Sequence, residues 1–330
     1  MISNSSICIK EPSSTDTDAG VAGAGVNSLT VTIDILEFLH FSQVLLSFII
    51  TAFIALILSA LIIFRELSPM SRPWKMPRQF LLALSDQQII TGIGIQSVGL
   101  AKMPSMVPYH FFIIWMLSIL STATHLATLL ALVADFRRDW VIRWMRQGLM
   151  LVNLILSCAF GVIVLESIMK MLPQTLPIAC VWNSSAPESK VSVSNPALSV
   201  VATIAVIAGQ LLVFVLGTIY LHSNKNPRWL KPMRVLGLVF LVAIAIGAST
   251  RVFFLSQAFG HPNVSLNSEK EKQWSFGQLL PLLLLLLPLN SMVEMLRGEM
   301  KVPNPVPLYD GQGGLPEDES SWSRTELLQR

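Results

Sequence analysis

The chain has 330 residues, of which 52% are hydrophobic and 13% are charged, and its formal net charge is +3. A soluble domain carries about a quarter of its residues as charged side chains, so this composition excludes an ordinary water-soluble domain. The small net charge gives no reason to expect a nucleic-acid partner, and none is predicted. The partner that the composition does predict is the lipid bilayer.

Apolar residues are grouped in seven blocks, at roughly 42–64, 80–101, 109–133, 148–168, 197–221, 232–257 and 275–296. Each has about the length of helix that crosses ~30 Å of hydrocarbon. Runs such as LLSFIITAFIALILSALIIF do not alternate as the strands of a membrane β-barrel do. We therefore predict an all-α fold of about seven transmembrane helices within 42–296. A disordered or interfacial segment, 1–41, precedes this domain, and a flexible cytosolic tail, 297–330, follows it.

The loops between the blocks differ in their basic charge. Loops after the first, third and fifth blocks each carry four Lys or Arg residues, whereas the alternate loops carry one or two. Basic loops stay in the cytosol, so the N-terminus is predicted to be lumenal or extracellular and the C-terminus cytosolic. The first 40 residues also lack the pattern of a cleavable signal. The predicted location is a multi-pass protein of the endoplasmic reticulum or the plasma membrane.

Glycosylation sequons agree with this orientation. They begin at Asn4, Asn183 and Asn263, all in segments that the charge rule places on the lumenal side. Cys8 and Cys180 lie on the same oxidising side, where they either form a disulfide or remain separate thiols. The third cysteine, Cys158, is inside the fourth block, where plain packing is expected.

The second block carries three adjacent polar residues, Asp86, Gln87 and Gln88. An ionisable group inside a span is costly unless it is paired or faces a cavity, so it is a functional hypothesis by default. Helical rise places His125 of the third block and Asn290 of the seventh at a similar depth. Whether these side chains face one another depends on helix rotation, which the sequence does not give.

Polar residues also form stripes along two of the predicted helices. One stripe in the third block consists of Ser118, Ser121, Thr122, His125 and Thr128, and one in the second consists of Ser85, Gln88, Gly92, Gln96 and Gly99. Small and hydroxyl-bearing residues of this kind allow helices to approach closely and to bond across the contact. The stripes therefore indicate either helix packing or a polar site.

A second pair of charges lies toward the lumenal ends of two other blocks. Glu166 is near the end of the fourth block and Arg251 near the end of the sixth, at matching depth. We expect these residues to form an ion pair, with a structural role in joining two helices as the first interpretation.

Several chemistries have no signature in the sequence. There is no phosphate-binding loop, zinc-protease motif, CxxC pair, hydrolase elbow or dinucleotide fingerprint. With only five histidines, paired histidine boxes are absent too. We predict no cofactor and no metal, which leaves carboxylate, imidazole, amide and hydroxyl groups for proton transfer or ligand binding.

Two stretches of the chain resemble a known group of sequences. SDQQIITG in the second block and YHFFIIWMLSILSTATHLATLLAL at 109–132 are similar to fungal seven-span membrane proteins, and the resemblance covers the first four blocks best. More loosely, the chain resembles the membrane-bound terpene cyclases of fungal meroterpenoid pathways, of the ascochlorin and macrophorin type.

The resemblance to cyclases implies an isomerase of secondary metabolism that encloses a prenylated, farnesyl-derived substrate. In such an enzyme an acid protonates an epoxide or alkene and the polyene closes into rings. Asp86 is the candidate acid, because burial in hydrocarbon disfavours a charged carboxylate. Gln87 and Gln88 would orient Asp86, and His125 would re-protonate it or act as the final base.

An alternative from another class is a seven-helix protein that is receptor-like or transporter-like and has no catalytic activity. The predicted topology agrees with this class, although topology does not establish function. A proton-coupled carrier would use Asp86 and His125 as a relay, but no inverted repeat is evident in the sequence.

Overall fold

The computed structural model describes residues 43–67, 75–104, 106–138, 140–172, 176–182, 196–222 and 230–255. Within these ranges the chain is helical and contains no strand, which confirms the all-α prediction. The helices are α1 (Gln43–Leu67), α2 (Lys75–Ala101), α3 (Pro108–Ala131), the short α4 (Val133–Arg138), α5 (Trp140–Met169), α6 (Pro196–His222) and α7 (Leu230–Leu255). A 3-10 turn, Ile178–Trp182, lies between α5 and α6.

Five of these helices are long and apolar enough to cross a membrane: α1, α3, α5, α6 and α7. The chain is therefore a multi-pass helical membrane protein in its described part. Helix α2 has 27 residues, which is long enough to span, but it is more polar than the other five. The seventh predicted block lies outside the described residues. The number of seven spans and the orientation of the termini remain predictions.

Helix α3 occupies the centre of the bundle. It packs against each of the other long helices, and its spanning residues are buried along the whole length of the helix. Its sequence explains this position, because Ser, Thr and Ala let neighbouring helices approach closely on every side. A helix that is buried all round, rather than along one stripe, is the core element of a membrane bundle.

The outer helices expose large apolar side chains. Ile155 of α5, Leu212 of α6 and Leu236 of α7 are 57%, 59% and 71% exposed. An apolar outer surface of this kind suits contact with lipid rather than with water. The burial pattern thus agrees with the composition: polar groups point inward, and apolar groups cover the outside.

Some predictions lie wholly or partly outside the described residues. These are the terminal segments 1–41 and 297–330, the sequon residues Asn4, Asn183 and Asn263, and the residues Asn290 and Cys8.

Cys180 is disulfide-bonded, whereas Cys158 is a free thiol within α5. Of the two alternatives left open for Cys180, the structure shows the disulfide; the packing role expected of Cys158 stays a prediction.

Candidate functional site

A cluster of buried polar side chains joins α2, α3 and α5, with Asn153 of α5 at its centre. The Asn153 Oδ1 atom accepts a 2.8 Å hydrogen bond from Gln96 Nε2 of α2. The Asn153 Nδ2 atom donates to Thr122 Oγ1 of α3 at 3.1 Å and lies 3.4 Å from His125 Nε2. One amide thus connects three helices. We call these residues, together with Gln88, Gly92 and Ser121, the polar cluster.

The remaining members of the polar cluster hold α2 against α3. Ser121 Oγ donates to the backbone oxygen of Gln88 at 2.7 Å. The helices are so close at Gly92 that an added Cβ atom there would lie 2.4 Å from Ser121 Oγ and 2.8 Å from Asn153 Oδ1. Only glycine fits this approach without a shift of its neighbours. The packing interpretation of the two polar stripes is confirmed at these residues.

Several atoms of the polar cluster are buried with no hydrogen-bond partner among the described residues. They are Gln88 Oε1, Gln96 Oε1 and His125 Nδ1. Ser118 Oγ, one turn of α3 from the cluster, is also buried without a partner among the described residues. A buried polar atom without a partner costs about 1–3 kcal/mol. Water is the simplest partner for such atoms, because buried waters usually bond to otherwise unsatisfied groups.

Asp86 pairs with Arg146 and not with His125, its predicted partner in a proton relay. Its Oδ2 atom lies 2.5 Å from Arg146 Nη2 of α5, and the Arg146 guanidinium lies 5.7 Å from the centre of the Phe136 ring. The described contact of His125 is with Asn153 instead. The structure therefore pairs the two candidate relay groups with different residues.

The two glutamines next to Asp86 do not bond to it. Gln88 Nε2 donates to the backbone oxygen of Phe48 in α1 at 3.3 Å, and Gln87 Oε1 is buried without a partner among the described residues. Gln87 and Gln88 point about 100° and 200° away from Asp86 around the helix, so neither amide shares its face. The expectation that Gln87 and Gln88 orient Asp86 is corrected by this geometry.

The predicted ion pair between Glu166 and Arg251 is also corrected. Glu166 pairs with Lys170, one turn along the same helix, at 3.1 Å, and Arg251 is exposed. Helix α5 packs mainly against α2, α3 and α6, whereas α7 packs mainly against α1, α3 and α6. Matching depth was the only basis for the prediction, and the two helices are not direct neighbours.

An ionic network, unexpected from the sequence, ties together the ends of α1, α2, α4 and α7. Glu66 forms ion pairs with Arg78 and Arg234, the second at 2.8 Å, and Arg78 also pairs with Asp135 at 2.7 Å. Arg234 Nε further donates to the Leu130 oxygen at 2.7 Å. That carbonyl belongs to the last turn of α3, where helix oxygens lack partners within the helix. We call the region that contains Arg78 and Arg234 the basic end of the bundle.

A cavity of about 360 Å³ lies between α6 and α7. Its walls are almost wholly apolar, and Arg234 is the one charged residue that lines it. We call it the α6–α7 groove and define it by Gly209, Leu216 and Gly217 of α6, Gly237 and Phe240 of α7, and Leu130 of α3. Leu212 and Leu236 line it as well, and both are exposed, so the groove opens toward the outer, apolar surface of the bundle.

Sequence reasoning missed several of the residues that organise these sites. Asn153 is a lone amide in an apolar block, and that isolation was a signal that could have identified it. Arg78, Arg146 and Arg234 were counted as loop charges that set orientation, but each bonds within the bundle. A basic residue within one or two turns of an apolar block can serve both purposes, because long side chains reach inward as well as outward.

Comparison with protein-family models, with curated proteins and with solved structures finds no match for this chain. The resemblance to fungal seven-span proteins and to terpene cyclases therefore stays a prediction that depends on the quoted motifs.

Proposed function

We propose that this chain is a receptor-like or transporter-like membrane protein that binds a hydrophobic small molecule without transforming it. The α6–α7 groove carries this proposal. It has an apolar lining and a volume of about 360 Å³, within the range of small-molecule sites in proteins. Because Leu212 and Leu236 line the groove and are exposed on the apolar outer surface, a ligand would enter from the bilayer.

The charges of the bundle support binding rather than acid-initiated cyclisation. Each of the four acidic side chains in the described residues, Glu66, Asp86, Asp135 and Glu166, forms an ion pair. A general acid must instead hold a proton next to the substrate. Helix α2 packs mainly against α1, α3 and α5, and Asp86 is not among the residues that line the groove.

The terpene cyclase expected from the resemblance is a second proposal. An apolar groove would also accept a farnesyl-derived chain and would keep water away from a carbocation. For Asp86 to act as the acid, its pair with Arg146 would have to open, and the substrate would have to reach α2. Both requirements can be tested with one variant.

The test uses microsomes that contain the full chain, either wild type or with Asp86→Asn, and a panel of farnesylated phenols and their epoxides. Under the binding proposal, panel members raise the melting temperature of the wild-type protein, and chromatography finds every molecule unchanged. A cyclic isomer of unchanged mass that disappears in a correctly inserted Asp86→Asn protein would replace the binding proposal with the cyclase. Binding that is equal in both proteins is the expected control, since Asp86 does not line the groove.

A further inference from the structure

The two helices that form the α6–α7 groove touch each other within its length. An added Cβ atom on Gly209 would lie 2.0 Å from Phe240 Cζ, so α6 and α7 touch there. Along α6 the groove extends from Ala205 to Tyr220, which is about 22 Å at the rise of an α-helix. That length exceeds one leaflet of a ~30 Å hydrocarbon layer. The groove is therefore long enough for an acyl chain that lies in a single leaflet.

Arg234 supplies the one charged group that lines the groove. It is 3% exposed. Its Nε atom donates to Leu130 oxygen at 2.7 Å, and its Nη2 atom donates to Ala131 oxygen at 3.2 Å and contacts Glu66 at 2.8 Å. None of its contacts with the described residues uses Nη1. A guanidinium held in place by two of its nitrogens can offer the third to an anionic oxygen.

The described charges of the ionic network balance one another, and the sequence beside the network is basic. Glu66 is shared by two arginines, and with Asp135 the ionic network is neutral overall. Lys225 and Arg228 lie in the sequence between α6 and α7, Lys231 lies in the first turn of α7, and no acid occurs from 223 to 234. Basic charge at a membrane surface attracts anionic lipids.

We propose that the α6–α7 groove binds an anionic phospholipid from the leaflet at the basic end of the bundle. Its acyl chain lies along α6 between Ala205 and Tyr220, and its phosphate accepts a hydrogen bond from Arg234. This inference rests on the proposed function, because it names the chemical class of the molecule that occupies the groove.

The experiment is native mass spectrometry of the full chain in detergent with added lipid. Dioleoyl-phosphatidylglycerol and dioleoyl-phosphatidylcholine are compared because they share acyl chains and differ in head-group charge. We expect the anionic lipid to bind about 5-fold more tightly, the effect of roughly one basic residue. Arg234→Gln should make the two lipids bind equally.

Arg234→Gln also removes hydrogen bonds to the end of α3, so a second variant keeps the test decisive. Leu216→Trp places a large ring in the groove and should reduce binding of both lipids. Leu211→Trp is the matched control, since Leu211 is 41% exposed and is not among the groove residues. Equal effects of these two tryptophans would overturn the location of the site.

The outcomes separate the two proposals. Equal binding of the two lipids by the wild-type protein, with loss only in Leu216→Trp, would overturn the anionic preference but keep the groove as a binding site. Binding of neither lipid, together with no melting-temperature shift from the prenylated panel, would overturn both proposals.

Discussion

The two sides of the bundle are held together by different forces. Where α2 and α5 meet α3, amide and hydroxyl groups form hydrogen bonds between the helices, and Gly92 leaves no room for a methyl group. Where α6 meets α7, the helices touch through Gly209 and Phe240 and enclose an apolar groove. Hydrogen bonds are directional and allow one arrangement, whereas apolar contacts can adjust to an added molecule. The side with α2 and α5 therefore fixes the arrangement of the bundle, and the side with α6 and α7 is suited to bind a ligand.

The largest expected effect comes from the ionic network at the basic end. Glu66→Gln removes the carboxylate shared by Arg78 and Arg234, whose side chains are 8% and 4% exposed. Breaking a buried ion pair from one side destabilises a protein by about 3–5 kcal/mol. The measurement is the melting temperature of the purified protein in detergent.

Glu166→Gln is the control for that prediction. It removes the same charge from a pair with Lys170 in which the two side chains are 28% and 45% exposed. An exposed pair contributes about 0.2–1 kcal/mol, so the loss should be several times smaller than for Glu66→Gln. Similar losses for the two variants would show that the ionic network does not hold the helix ends.

Removal of the amide at the centre of the polar cluster should have the next largest effect. Asn153→Ala breaks its bonds to Gln96 and Thr122, and interhelical hydrogen bonds in membranes contribute about 0.6–2 kcal/mol each. We expect a loss of about 2 kcal/mol in a denaturant titration. Val152→Ala, at an exposed neighbour, should change stability by less than ~0.5 kcal/mol; an equal effect would contradict a special role of the cluster.

The smallest predicted difference compares one substitution on the two sides of the bundle. Gly92→Ala directs a methyl group at Ser121 and Asn153, which hydrogen bonds hold in place. Gly209→Ala directs it at the Phe240 ring, which borders the open groove and can rotate away. We expect a loss of about 1–2 kcal/mol for Gly92→Ala and a smaller one for Gly209→Ala, although the second contact is shorter. Thermal melting in the same detergent checks this order.

Gly94→Ala completes that series. An added Cβ atom at Gly94 meets nothing within 4 Å, so only the backbone preference for alanine in a helix remains. Stability should stay equal or rise, by up to about 1 kcal/mol. A clear loss would mean that helix α2 tolerates no side chain for reasons other than steric contact.

The sequence predicted some features of this protein better than others. Hydrophobic blocks predicted the long helices to within a few residues for most of the described chain, because hydrocarbon thickness sets helix length. Polar stripes indicated that α2 and α3 each have a polar face, but not that these two faces meet. The partners of Asp86 and Glu166 were not predictable, since pairing depends on helix rotation and on which helices are neighbours. The dual roles of Arg78 and Arg234 were missed because the same charges also fit the rule for loop orientation.

The bond between Arg234 and the end of α3 also affects the order of assembly. The two residues that it joins are 104 positions apart, and a ribosome adds about 5–20 residues each second. The centre of the bundle is therefore synthesised on the order of 5–20 s before the side chain that completes its last turn. During that interval α3, with its hydroxyls and imidazole, depends on α1, α2 and then α5 to shield it from lipid. Release from the insertion machinery before α7 arrives would leave the last turn of the central helix incompletely bonded.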